Sequence, residues 1–508
     1  MSYLKHWTRN LQQNLILKKN NMRNKVKHLV YIVLALVVVS SCKVGKKYSQ
    51  PDLNVPHQFR GDTVSFTTDT ASFGLLPWRE FFNDTQLLSL IDSGLANNYD
   101  MQTALKNIEI ADRNLKRNKL DYLPSIDGNI ASIQKQYRSE DFYGNPSSNW
   151  YSGKEDEEIP NSLFAYQSQF STGAQFSWEI DVWGRIANSK DQVQARYLDT
   201  HEAKNAIQTK LISDIALGYF NLIMLDAQIE VARRNLQLND STLQMIELQF
   251  AAGEITALAI QQTKSQRLVA ASLVPDLEKQ IAIQENSLRV LVGEMPDTIG
   301  RGTSIDSLMN IGGDVSLGSP VEIVRNRPDI KRAEFGLIDA NAQMNIQQIM
   351  RYPQLSLEGI FGVNSMLPKN WFNIPGALIG GIGGGLTAPI FKNGKLKNEY
   401  EVAKIEREKA DLGLQKTVME AVSEVSNTVI TVEKQKEQLK LAQERVENSE
   451  LAVENASLLF KAGYATYLEV ITAQSSALTS ELALVDIRQK QLNAYVDLYR
   501  SLGGGWRN

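Results

Sequence analysis

The longest regular pattern in the chain is an apolar residue at every seventh position from Val418 to Phe460. The members are Val418, Val425, Val432, Leu439, Val446, Val453 and Phe460. A strict heptad of apolar residues predicts a helix that supercoils against neighbouring helices. Counted from Gly394, where the stretch begins, such a helix would run about 100 Å, much longer than a single globular core needs. Gly463 predicts its end, and apolar residues three and four apart predict a return helix from Leu468 to Tyr499.

The same pattern occurs 210 residues earlier, where it ends at the turn Phe250-Ala251-Ala252-Gly253. The earlier seam consists of Ile215, Leu222, Ile229, Leu236, Leu243 and Phe250. A second offset, of 229 residues, relates the segment Asp100–Pro124 to Asp329–Pro353. Internal repetition constrains the fold before individual elements do. It predicts two copies of one unit: a helix, two apolar strands, a very long helix, a tight turn and a return helix.

Each copy contains a pair of segments with the two-residue period of β-strands. Even positions from 164 to 182 are mostly apolar and odd positions mostly polar, which predicts one apolar and one polar face. The run is longer than a usual strand of about 5–6 residues and suits a lipid-spanning strand of about 9–11. In the second copy apolar positions extend from Leu355 to Ile390. A soluble β-sandwich is the alternative.

Four spanning strands per chain cannot close a barrel. An open sheet edge in lipid leaves backbone groups unsatisfied, at a cost of several kcal/mol each. The membrane part must therefore be shared between chains: two chains would give eight strands with a filled interior, and three would give twelve with room for a pore. The long helices are too polar for lipid and are expected in an aqueous compartment.

The N-terminus predicts a secretory signal over residues 1–41. Basic residues precede the apolar run from Leu29 to Val39, which is too short to span a bilayer and is followed by two serines and Cys42. This arrangement resembles a bacterial lipoprotein signal, in which Cys42 would be acylated, although Val39 stands where leucine is usual. Lys43 favours an outer-membrane address. A signal with a chance cysteine is the alternative, and Met22 is a second candidate start.

Composition and motifs predict no enzyme. The net charge is −3, which suggests no nucleic-acid partner, and three of the four histidines precede residue 60. The eleven methionines are scattered, and the glycines from Gly380 to Gly385 lack the Lys-Ser/Thr of a phosphate loop. We therefore expect no metal site and no cofactor beyond the covalent lipid on Cys42.

Six motifs give the chain a clear resemblance to the TolC-like outer-membrane efflux proteins, particularly to the lipoprotein branch that serves resistance–nodulation–division pumps. They are Val44-Gly45 with Tyr48 and Pro51, Trp78 with Phe81 and Leu87, Asn326–Ile330, Pro353–Leu357, Phe460 with Gly463 and Thr466, and Leu502–Trp506. The resemblance implies an α+β membrane protein: a homotrimer with a twelve-stranded β-barrel continuous with a periplasmic α-helical barrel. It also implies a periplasmic adaptor and an inner-membrane pump as partners.

The resemblance places the closed periplasmic aperture and the adaptor-docking surface at the two helix turns. The corresponding residues are Phe250, Gly253, Thr256 and Leu258, and Phe460, Gly463, Thr466, Leu468 and Glu469. Thr472, Ala465 and Ala259 stand where other members can carry charged residues that lock the aperture. Three copies of Glu469 would repel one another, so a Glu469 ring is expected to bind cations rather than fasten the gate. An ordinary solvated helix residue is the alternative.

The organisation predicted from these patterns alternates helical and strand segments. Its parts are the signal 1–41, an extended segment 42–75, helices 76–123, a β-hairpin 124–183, a helical hairpin 184–293, a linker 294–318, a helix 319–352, a β-hairpin 353–393, a helical hairpin 394–503 and a tail 504–508. We expect a passive outer-membrane duct of a tripartite efflux system. Alternatives are the outlet of a type I secretion or heavy-metal system and a non-conducting coiled-coil scaffold.

Overall fold

The computed structural model describes residues 44–53, 55–56, 73–139, 164–302, 305 and 326–507. Cys42, the signal 1–41 and residues 140–163 of the predicted β-hairpin 124–183 lie outside the described residues. The structure has long helices and one sheet, in the order in which the sequence predicts them. The elements are α1 Trp78–Phe81, α2 Thr85–Asn97, α3 Tyr99–Lys119, β1 Ser125–Ser139, β2 Phe164–Ile180, α4 Arg185–Ala251, α5 Ala257–Leu291, α6 Pro328–Ile349, β3 Gln354–Ser365, β4 Leu378–Thr387, α7 Lys395–Lys461 and α8 Tyr467–Ser501.

The two helical hairpins have matching bounds. Helices α4 and α7 are each 67 residues long, and α5 and α8 are each 35 residues long. Each bound in the first hairpin differs from its counterpart by the same 210 residues that relate the two apolar seams. The predicted rods, turns and return helices are therefore confirmed as secondary structure.

All four hairpin helices end at a glycine in the left-handed region. Gly253, Gly293, Gly463 and Gly503 have φ between 77° and 85°. At each end the glycine N–H bonds to the carbonyl three residues earlier, and the next N–H bonds to the carbonyl five residues before it. This is the Schellman arrangement, which favours glycine because no Cβ is strained there.

The four strands form one antiparallel sheet in the order β1-β2-β3-β4. Strand β1 contains a register irregularity between Asn129 and Ser132 where it pairs with β2. The β2–β3 pairing joins the two sequence copies, because Phe170 to Ile180 pairs residue by residue with Ser365 to Leu355. Two predicted β-hairpins thus share one continuous sheet.

The chain divides into two compact units, each made of non-contiguous segments. The first contains residues 114–193 and 339–407, including the sheet and the helix ends that adjoin it in sequence, together with residues before 50. The second contains residues 50–113, 194–338 and 408–508. The units cut across the predicted domain bounds because each long helix contributes to both.

The core of the second unit lies where its helices pack around aromatic side chains. Phe81 stacks on Tyr499 with ring centroids 4.2 Å apart, and Phe82 meets the Phe81 ring edge-on. Trp78, Tyr219 and the other large side chains of this cluster are almost fully buried. Helix α4 contains an 18-residue stretch apolar enough to cross a membrane, but 61% of it is buried here, which is typical of a core helix.

Two prolines lie within or at the start of helices. Helix α5 continues through Pro275, where we expect a bend because an interior proline removes a backbone hydrogen bond. Helix α6 begins at Pro328, within the predicted 319–352 segment, and proline at the first helical position is favourable because its missing N–H would be unpaired there.

Candidate functional site

One face of the sheet is apolar across all four strands. Residues directly opposite one another share a face, and one such row is Ile126, Phe176, Gly359 and Ile382. The neighbouring row contains Trp178, Leu357 and Gly384. Ile126 and Ile382 are more than 70% exposed in the single chain. A contiguous exposed apolar face of this kind marks a membrane or interaction surface.

The opposite face is polar. One of its rows contains Ser177, Glu358 and Gly383, and the next contains Glu179, Ser356 and Gly385. Alternation between an apolar outside and a polar inside is the pattern of a transmembrane β-barrel with a hydrated interior. The sheet therefore has the two surfaces that a channel wall needs.

A glycine on the apolar face is covered by an aromatic ring. A Cβ at Gly359 would lie 2.1 Å from Cε1 of Phe176, its partner across the strands. The Phe176 ring therefore occupies the space that a side chain at position 359 would need. This packing shields the backbone at a position where the sequence alone indicates only a weak strand residue.

The outer strands of the sheet are open. Within the part of the chain that the structure describes, β1 pairs only with β2, and β4 pairs only with β3. Each edge therefore presents unpaired backbone donors and acceptors over ten or more residues. In a hydrocarbon environment these groups must be satisfied by another strand.

At the other predicted site, the two helix turns pack against each other. Ile246 and Ala259 of the first hairpin and Phe460 and Val470 of the second form one buried cluster. Phe460 is only 6% exposed, whereas Phe250, its counterpart in the repeat, is 43% exposed. The structure thus joins the turn regions through Phe460.

The remaining predicted turn residues stay at the surface. Leu258 and Leu468 are both more than half exposed, and Thr256 and Thr466 are the N-cap residues of α5 and α8. Sequence reasoning missed a hydrogen bond between the hairpins, from the Tyr467 hydroxyl to Oε1 of Gln262 at 2.5 Å. Its only signal was a tyrosine beside a cap residue, which is too general to locate a partner 205 residues away.

Glu469 has a local structural role. Its carboxylate accepts a hydrogen bond from the backbone N–H of Thr466 and one from the Thr466 hydroxyl, at 2.9 Å for the latter. The backbone N–H of Glu469 in turn bonds to the Thr466 side chain, and this reciprocal pair is a capping box at the start of α8. Ala259 occupies the matching position in α5 and is buried in the turn cluster, so the first copy has no equivalent carboxylate.

The Asn326–Ile330 motif supplies a partly buried arginine to the second unit. Arg327 donates to both carboxylate oxygens of Asp329, to the Ser501 carbonyl at 2.7 Å, and contacts Glu424 at 2.7 Å. Arg500 also donates to Glu424, at 3.0 Å. Sequence reasoning recognised the motif but not these partners, which lie up to 174 residues away.

The charges of this network shift one another's titration. Burial alone would lower the pKa of Arg327, but Asp329 and Glu424 outweigh it and raise that pKa above its ordinary value. Burial alone would raise the pKa of Asp329, but the Arg327 guanidinium lowers it below its usual value. Arg327 and Asp329 therefore remain charged near neutral pH, and the contacts of Arg327 tie α6, α7 and the end of α8 together.

A two-faced sheet with open edges and paired very long helical hairpins define a class of protein: an outer-membrane channel. The chain belongs to the outer membrane efflux protein family, whose model matches residues 90–294 and 320–504. Members of that family are efflux channels rather than enzymes. The chain is accordingly an outer-membrane component of an efflux system, as the sequence motifs predicted.

Individual comparisons agree along nearly the whole chain. The chain is 25% identical to the cation efflux system protein CusC of Escherichia coli O6:H1, covering 93% of this chain and 97% of that protein. It is 27% identical to the toluene efflux pump outer membrane protein TtgI of Pseudomonas putida, with the same coverage. Its fold matches the outer-membrane channel OprN with a TM-score of 0.81 and 23% identity, covering 92% of this chain and 100% of that one.

Proposed function

We propose that three copies of the chain form a homotrimeric twelve-stranded barrel. The observation that carries this proposal is the sheet itself, with one apolar face, one polar face and two open edges. If β4 of each chain pairs with β1 of the next, every backbone group in the bilayer is satisfied. Twelve strands leave room for a pore, whereas eight are filled by side chains. The helices continue each wall as a periplasmic α-helical barrel.

The proposed assembly is a passive duct that receives cargo from an inner-membrane resistance–nodulation–division transporter through a periplasmic adaptor. The polar sheet face lines it, and the energy comes from the transporter. Relatives named for cation efflux and for toluene efflux resemble the chain about equally, at 25% and 27% identity. We therefore assign cargo selection to the partner proteins rather than to the duct.

The helix turns form the proposed periplasmic aperture and adaptor-docking surface. Leu258, Leu468 and Tyr464 are exposed there, next to the buried Phe460 cluster. Because Glu469 already accepts two bonds from Thr466, the proposed Glu469 ring would bind cations only with the carboxylate lone pairs that the cap leaves unused. Apolar contacts between the exposed leucines of neighbouring chains would hold the aperture closed.

Acylation of Cys42 is the proposed anchor to the outer membrane. A Cys42→Ser variant is expected to incorporate no labelled palmitate while retaining the sheet and helices. Incorporation by the variant would contradict the lipoprotein assignment.

Single-channel recording in planar bilayers tests the duct. We expect small conductance for the wild type and larger, longer openings for Leu468→Ser, which removes the apolar contact proposed to close the aperture. Leu441→Ser on α7 is a matched control, because Leu441 is also exposed but is distant in sequence from the turn. A complete lack of conductance in all three would favour the non-conducting scaffold.

A further inference from the structure

The loop between β3 and β4, residues 366–377, is a folded segment with an exposed apolar surface. Its backbone bonds to itself, since the N–H of Trp371 donates to the Pro368 carbonyl at 3.2 Å. Phe372 is 65% exposed and Ile374 is 64% exposed, although both are large apolar side chains. An ordered loop that presents such side chains on the single chain indicates a contact surface.

The loop leans over the apolar face of the sheet. The Trp371 ring lies 5.4 Å from the Phe170 ring and stacks on the Phe372 ring at 5.3 Å, measured between centroids. Phe170 is an even-numbered residue of β2 and therefore shares its face with Phe176 and Trp178. Because β2 is an inner strand, the loop points towards the middle of the chain's own sheet and away from the open edge at β4.

Phe170 also marks the level at which the four-stranded part of the sheet begins. Among the residues that the structure describes, β2 pairs with β1 from Phe164 onwards but with β3 only from Phe170 onwards. The loop 366–377 therefore lies at the strand ends opposite to those that lead into α4 and α7. The hairpin of β1 and β2 continues past this level.

The sheet has aromatic side chains at both ends of its four-stranded part. At the helix end, Trp183 packs on Tyr352 with ring centroids 5.2 Å apart, just after β2 and just before β3. At the other end, Phe170 contacts Trp371. Phe170 and Ile180 are ten residues apart, which is about 33 Å along a strand and about 25 Å across a membrane at a tilt of about 40°. The outward apolar band of a membrane barrel has this height, about 25 Å.

Lys369 places a cation next to the apolar side chains of the loop. It is the one charged residue among residues 366–377, and it is exposed. Aromatic side chains are enriched where acyl chains meet headgroups, and a lysine there can extend its ammonium group towards the water. The composition of the loop therefore suits the boundary of a bilayer, with Phe372 and Ile374 on the acyl side and Lys369 near the lipid phosphates.

We propose that the loop 366–377 is a lipid-binding surface that seats in the outer leaflet of the outer membrane. Phe372 and Ile374 enter the acyl region, and Lys369 faces the headgroup phosphates. Residues 164–169 of β2 then stand outside the bilayer. The proposal rests on the outer-membrane location of the sheet and not on the number of chains in the barrel.

Collisions of a nitroxide spin label with oxygen and with a water-soluble nickel complex test this contact. Cys42 is the only cysteine, so in a full-length Cys42→Ser background each introduced cysteine carries the label alone. Phe372→Cys and Ile374→Cys are labelled separately and reconstituted into vesicles of phosphatidylethanolamine and phosphatidylglycerol. Two positions are used so that a variant that fails to fold leaves the other to decide.

Two further labelled positions serve as references. Ile382→Cys is the lipid reference, because Ile382 is 81% exposed on the outward face of β4. Leu441→Cys is the matched water reference, because Leu441 has the same 65% exposure as Phe372 but lies on α7, outside the sheet. Since oxygen partitions into apolar surroundings, we expect the ratio of oxygen to nickel collisions at 372 and 374 to exceed that at 441 about threefold or more.

The references separate the possible failures. Lipid-like collisions at 382 together with water-like collisions at 372 and 374 would overturn the loop proposal alone. Protection of 372 and 374 from both reagents would also overturn it, because the loop would then be covered by protein such as a second copy. Water-like collisions at 382 as well would refute the membrane contact of the whole apolar face, and the loop proposal with it.

Discussion

Phe250 and Phe460 occupy equivalent positions of the repeat but differ in burial, which allows a matched pair of substitutions. Phe460 packs against Ile246, Ala259 and Val470, while Phe250 is nearly half exposed. Truncation of a buried phenylalanine costs about 3–5 kcal/mol. Because the turn cluster is small and can partly collapse, we expect about 3 kcal/mol for Phe460→Ala. For Phe250→Ala we expect about half of that, in proportion to its burial.

These losses of free energy shift the local equilibrium towards open states, and amide hydrogen exchange becomes faster in proportion. At about 1.4 kcal/mol per tenfold change, Phe460→Ala should accelerate amide exchange near the turns about a hundredfold, and Phe250→Ala about tenfold. Hydrogen exchange with mass spectrometry on peptides that cover both turns measures this directly. The acceleration by Phe460→Ala should appear in both turns, since its side chain joins them. Equal acceleration by the two substitutions, or an effect of Phe460→Ala on one turn only, would refute the packing argument.

Three further predictions concern charged groups. Glu469→Gln replaces the charged acceptor of the capping box by a neutral amide and should destabilise the start of α8 by about 0.5–1 kcal/mol. Amide hydrogen exchange should become faster there. It should not change at the start of α5, where Ala259 provides no carboxylate. Arg327→Met leaves Asp329 without its cation and Glu424 with Arg500 alone. Removal of one partner from a buried pair costs about 3–5 kcal/mol, and because both carboxylates are partly exposed we expect a loss of about 2–3 kcal/mol in the free energy of unfolding, measured as a lower Tm. The pKa of Asp329 is lowered in the folded protein, so its ionised carboxylate stabilises the fold. This contribution is complete above the unfolded pKa near 3.9 and is lost as pH falls through the folded pKa. Below about pH 4, the Tm of Asp329→Asn should therefore fall less than the Tm of the wild type in acid unfolding scans.

The secondary structure could be predicted from the sequence because its signals are local and periodic. The heptad that ends at Phe460 and the glycine at 463 place the end of α7 within one residue of where it lies. The alternation over positions 164 to 182 predicts the two faces of β2, and its length to within two residues, since the strand ends at Ile180. Helix and strand periods arise between residues that are close in sequence, so the sequence pattern alone is enough to predict these elements.

Details of the candidate site could not be predicted, since they depend on tertiary contacts. Phe250 and Phe460 have the same position in the heptad, and only the packing of the two hairpins decides which of them is buried. The side chain of Asn345 bonds to the backbone of Lys46, 299 residues away, and no local pattern indicates such a contact. Glu469 illustrates a third case, in which the sequence suggested a charged ring and the structure adds a helix cap.

The central claim is that each chain supplies one third of a barrel wall, with β1 and β4 open until neighbours pair with them. Native mass spectrometry of the purified protein in detergent micelles measures this directly. We predict a mass of three chains that persists on dilution. A single, water-soluble chain that never enters micelles would contradict the account.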